Sequence, residues 1–156
     1  MSQLASAYSI STATLEALAG LAEAKRFDEL WSRLRAEGRE VLPPFDLYSG
    51  DVVVLAQEYL GEAEVDFPLA THPAAKKLND TGLAPLLIAH REEAAQLSAQ
   101  IGARTPEDGE LRSWFADFTG DHWDEAPQAM RAAFDYLKRA LDQTTAAEPW
   151  CMLLIG

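Results

Sequence analysis

Trp150-Cys151-Met152-Leu153-Leu154-Ile155 is a continuous apolar run entered through Pro149, and it reads as a strand. The other end of the chain answers it. In Leu4-Ala5-Ser6-Ala7-Tyr8-Ser9-Ile10 the residues Leu4, Ser6, Tyr8 and Ile10 share one face of an extended segment, and small residues share the other. An apolar strand needs a neighbour, so the two ends are expected to meet in one sheet covered by helices. The expected fold is therefore α+β: one domain over residues 1–156, mostly helical, with a small sheet containing the N-terminal and C-terminal strands.

Helical patterns fill the middle. Ser11 stands where an N-cap belongs, ahead of Leu15, Leu18, Ala19 and Ala22. Phe27, Leu30, Trp31 and Leu34 form a second stripe that ends near Gly38, and Pro43-Pro44 breaks the chain. Residues 51–60 are ambiguous. Val52, Val53 and Val54 favour a strand, whereas Val52, Leu55, Ala56, Tyr59 and Leu60 fit one helical face that Ser49 or Asp51 could cap; helix is the preferred reading. Gly61 to Pro73 reads as loop with an extended piece at 65–69. A short helix from Pro73 to Asn79 follows, stopped by Asn79-Asp80-Thr81-Gly82. Pro85 to Ala89 reads as a short buried strand, and His90 opens a helix that carries Ala94, Leu97 and Ile101. Thr105-Pro106-Glu107-Asp108 predicts a helix start with a Thr cap and Pro at the first position. Its core face would be Leu111, Trp114, Phe115 and Phe118. The last helix carries Met130, Ala133, Phe134, Leu137 and Leu141, with Arg131 and Arg139 each spaced to pair with Asp135.

Order and apolar spacing together resemble the YfbM-like family of uncharacterised bacterial proteins. The residues that carry the resemblance are Leu4 to Ser11 with Leu15-Glu16-Ala17-Leu18, Asp28-Glu29-Leu30-Trp31 with Leu34, the strand and helix from Leu86 to Leu97, and the ending from Met130 through Gly156. It covers both ends and part of the middle, with 36–82 outside it. The family's basic residue after the Asp is Glu29 here. The resemblance implies an α+β fold and no established activity.

Composition narrows the function. Thirteen Lys plus Arg face 25 Asp plus Glu, a net charge of −12 in 156 residues. Nucleic-acid affinity depends on cations that neutralise phosphates, so a nucleic-acid partner is not expected, and anionic membranes are disfavoured for the same reason. No apolar run approaches the ~20 residues of a spanning helix, and the start lacks a secretory pattern, so a bacterial cytoplasmic location is expected. Cys151, the single cysteine, can form neither an internal disulfide nor a cysteine-built zinc site.

The densest polar cluster is Asp121, His122, Trp123, Asp124 and Glu125, following Asp117 and Thr119-Gly120. Carboxylates and an imidazole suit a divalent metal, but the spacing matches no calcium loop or zinc motif. A convergence of His72, His90 and His122 is a further metal arrangement to test against the structure. No serine sits in a glycine-flanked elbow and no phosphate loop is present, so no catalytic residue, metal or cofactor is expected. The expected role is protein binding, with Asp121 to Glu125 as the contact loop and Trp123 as its anchor or as a cap on the core edge. A basic protein would be drawn to the acids, and in its sharpest form the reading is an immunity protein neutralising a toxin. The alternative is a small metal-dependent enzyme or ligand-binding protein that uses the same loop.

Overall fold

The computed structural model describes residues 4–45, 48–65, 72–81 and 87–155. Strand β1 (Ala5–Ile10) leads into α1 (Thr12–Glu23) and α2 (Phe27–Glu37), followed by the two-residue strand β2 (Arg39–Glu40). Then come α3 (Asp51–Glu62), α4 (Pro73–Asp80), β3 (Leu87–His90), α5 (Arg91–Gly102), α6 (Asp108–Thr119), α7 (Ala126–Leu141) and β4 (Trp150–Ile155). The expected extended piece at 65–69, apart from Val65, lies outside the described residues, as do Gly82 and the Pro85-Leu86 start of the third strand.

The strands form one antiparallel sheet in the order β2-β1-β4-β3. Its centre is the pairing of the chain's two ends, from Ala5 opposite Ile155 to Ile10 opposite Trp150. Side chains alternate across a strand, and both faces are covered. Cys151 and Leu153, with Ala5, Ala7, Leu87 and Ala89, pack into a core shared with α3, α5, α6 and α7. Trp150, Met152 and Leu154, with Tyr8, Ile10 and Ile88, pack into a second core shared with α1, α2 and α4. That is why the last strand is apolar without interruption: in a sheet covered on two sides neither face meets water.

Local signals explain most boundaries. Ser11 caps α1 as its spacing predicts, its side chain accepting from the Thr14 amide at 3.1 Å. At Gly38 an added Cβ would lie 2.6 Å from the Leu34 carbonyl oxygen, so only glycine fits where α2 ends. Residues 51–60 are helical, since Val52, Val53, Ala56, Tyr59 and Leu60 bury one helical face. The expected face differs by one position, with Val53 buried and Leu55 partly so.

Three expectations are corrected. Thr105 does not cap α6: the helix begins at Asp108 with Glu107 at the cap position. Arg131 accounts for the delay, because its guanidinium donates to the Pro106 carbonyl at 2.8 Å and to Asp108 at 2.5 Å. Arg131 is thus engaged with the preceding helix rather than with Asp135, which pairs with Arg139 at 3.7 Å. Finally, Phe118 lies outside the core, with 48% of its surface exposed.

Candidate partner-binding site

The loop after α6 is held from both ends. Gly120 takes φ 80°, the left-handed conformation that glycine adopts without strain, and its amide donates to the Ala116 carbonyl at 2.8 Å. The Thr119 hydroxyl donates back to the Phe115 carbonyl at 2.7 Å and accepts from the Asp121 amide at 3.1 Å. On the far side the Ala126 amide donates to the Trp123 carbonyl at 3.1 Å, and the Ala129 amide to that of Glu125 at 3.0 Å. Trp123 is partly buried, its ring 5.5 Å from Tyr48 in an edge contact and 5.6 Å from Phe115. Trp123 thus caps the edge of the core, one of its two expected roles. Asp121, His122, Asp124 and Glu125 all point to water.

Beside this loop lies a patch that the linear pattern concealed. Phe118 stacks on Trp114 at 4.8 Å with the planes 14° apart. Trp114 meets Tyr59 edge-on at 5.4 Å, and its indole N–H donates to Glu62 at 2.5 Å. The Tyr59 hydroxyl donates to Glu110 at 3.2 Å. Burial first, then the charge of Glu110 and its hydrogen bond, push the Tyr59 hydroxyl above its usual range, so it stays a donor. Glu62 is thus oriented by one ring of a stacked pair whose outer ring faces solvent, and Glu110 by the Tyr59 hydroxyl behind it. The only signal in the sequence was the α6 stripe of Leu111, Trp114, Phe115 and Phe118, whose spacing does not tell which ring stays outside the core.

The histidines divide. His72 and His90 both stand against Trp150, with ring centroids 5.3 Å and 5.0 Å from it, while His122 stays on the exposed loop. Each of the pair caps a helix: His72 Nδ1 accepts from the Ala74 amide at 3.1 Å, and His90 Nδ1 from the Glu92 amide at 3.4 Å. Trp150 completes the joint by donating from its indole N–H to the Thr12 hydroxyl at 3.1 Å. These contacts hold helix starts to the sheet. His72 also lines a shallow cleft between α1 and α4, about 300 Å³, with Glu16 at 3.8 Å from its Nε2 and Lys77 at the rim. Replacing His72 with Ala should cost about 1 kcal/mol of stability in urea unfolding, the usual value of a lost N-cap, while His72→Asn should recover most of it.

Among the described residues no group of three or more His, Cys, Asp or Glu side chains is placed to hold a metal ion. Cys151 is fully buried and its thiol is pushed up to about 12 by desolvation, so the reactive thiolate is scarce at neutral pH. No helix among the described residues is long and apolar enough to cross a membrane. Compared with family sequence models, curated proteins and solved structures, the chain finds no match in any of the three.

Proposed function

We propose that this chain is a non-catalytic binding domain for a basic protein, and in its finest form a bacterial cytoplasmic immunity protein that neutralises a toxin. The observation that supports the reading is the stiff loop from Gly120 to Glu125, which shows three carboxylates to water on a chain of net charge −12. A loop already held by its own hydrogen bonds loses little entropy on docking. The summed negative field speeds encounter with a cation-rich surface and repels acidic competitors. Kinship with the YfbM-like family is part of the proposal, supported by element order and the apolar positions of both chain ends.

Affinity capture from the native host, followed by salt titration of whatever is retained, tests the reading. The expected result is one basic protein bound at near-stoichiometric level, with an association rate that drops about tenfold or more from low to high salt. The variant Asp121→Asn/Asp124→Asn/Glu125→Gln should slow association in low salt and leave the melting temperature in place. Failure to recover a stable protein partner, or a complex indifferent to salt, would count against it.

A further inference from the structure

Phe118, Trp114 and Glu62 form an exposed aromatic and acidic patch, with Glu110 held by Tyr59 on the same helix as Phe118. Phe118 and Leu4 are the exposed large hydrophobic residues among those described, and only Phe118 belongs to an aromatic stack. A solvent-facing ring stacked on a second ring offers a flat π-face, and such a face attracts cations. The carboxylates define the sign of the guest. Glu62 Oε2 is held by the Trp114 indole and Glu110 Oε1 by the Tyr59 hydroxyl. Each has a second oxygen left to accept further hydrogen bonds. Asp117 and Asp121, both exposed, continue the negative surface into the acidic loop. Arg104, itself exposed, is the chain's own cation whose charge is felt at Tyr59.

We propose that this patch receives an arginine side chain of the basic partner, its guanidinium lying flat on Phe118 with its edge toward the Glu62 carboxylate, while Glu110, about two helical turns away, adds to the negative field. Arginine fits better than lysine because its cation is planar, stacks on aromatic faces and presents several N–H donors in one plane. The proposal rests on the protein-binding reading above and specifies which group of the partner it grips.

Isotope-labelled protein titrated with N-acetyl-arginine amide, and separately with N-acetyl-lysine amide, tests it by NMR. The Trp114 indole N–H, already bonded to Glu62, is the reporter, and the Trp123 indole is the internal control. The arginine amide should move the Trp114 resonance at a half-saturating concentration at least about threefold below that of the lysine amide. In Phe118→Ala the half-saturating concentration should rise about threefold or more. Glu62→Gln, whose amide oxygen can still accept from the indole, should weaken binding by removing both the charge and the second accepting oxygen. A Trp114 resonance that stays still, moves equally with both amides, or moves unchanged in Phe118→Ala overturns the assignment. The two readings fail separately. A captured partner whose affinity ignores Phe118→Ala removes the arginine seat and leaves the binding function. An arginine-specific response without any captured partner does the reverse.

Discussion

Met152→Ala and Leu153→Ala, although neighbours in sequence, will each lower the unfolding free energy by about 2–5 kcal/mol in urea. The reason lies in the alternation of β4. Met152 points into the core beneath α1, α2 and α4, and Leu153 into the one beneath α3, α5, α6 and α7. Both are fully buried. In a sheet with one wet face only one of two consecutive residues would carry such a cost. Here the two cavities open on opposite sides of the same backbone, so neither can relax into the other. The combined loss, roughly 4–10 kcal/mol, rivals the whole stability of an ordinary domain. The double variant should therefore show little folded signal by circular dichroism at ambient temperature. Leu4→Ala, at a residue 37% exposed, should stay within about 0.5 kcal/mol of wild type. If Met152→Ala or Leu153→Ala proved as mild as Leu4→Ala, helices would not cover both faces.

The same alternation explains what could be read from the chain before its structure. Ala5 to Ile10 and Trp150 to Ile155 carry their pairing in their pattern, because each strand buries both faces. Helices whose stripes match a single face, such as Leu15, Leu18, Ala19 and Ala22, were equally legible. Strand β2 was not. Arg39 and Glu40 are exposed and charged, and they join the sheet only because the backbone after Gly38 runs beside Tyr8 and Ser9. The start of α6 was misread because a local cap signal at Thr105 competes with Arg131, which contacts Pro106 and Asp108 from 25 and 23 residues away. Long-range polar contacts leave no periodic trace, and tertiary context overrides local preference when they form. The candidate site divides in the same way. Its loop was visible as a run of acids. Its aromatic half was not, because the tie between Trp114 and Glu62 spans 52 positions and nothing near Trp114 announces it.

Alkaline pH should unfold the protein from the centre of the sheet. Cys151 is fully buried, and desolvation pushes its thiol from an ordinary value of 9.0 up to about 12. Tyr136 is buried on the same side of the sheet, its hydroxyl donating to the Ala5 carbonyl at 3.2 Å. Burial, followed by the charges of Glu40, Cys151 and Tyr8, pushes that hydroxyl from 10.0 up to about 12. In both groups the folded state holds its proton after the unfolded chain has released it. Below pH 9 neither state is ionised at these sites and stability is at its full value. Above that, the unfolded chain gains from ionisation what the native state cannot, and stability falls by about 1.4 kcal/mol per pH unit for each group in its window. The window runs from 9.0 to about 12 for Cys151 and from 10.0 to about 12 for Tyr136, and the loss ends when the folded groups ionise as well. The Cys151 share alone is on the order of 4 kcal/mol. Urea unfolding at intervals from pH 8 to pH 11 should show the decline, and Cys151→Ala should postpone its onset by about one pH unit, because Tyr136 then begins it. The two shares do not simply add, since each charge raises the cost of the other in one small core. Parallel curves for wild type and Cys151→Ala would mean that water reaches the sulfur, and that the face of β4 beneath α7 is not the dry interior its neighbours make it.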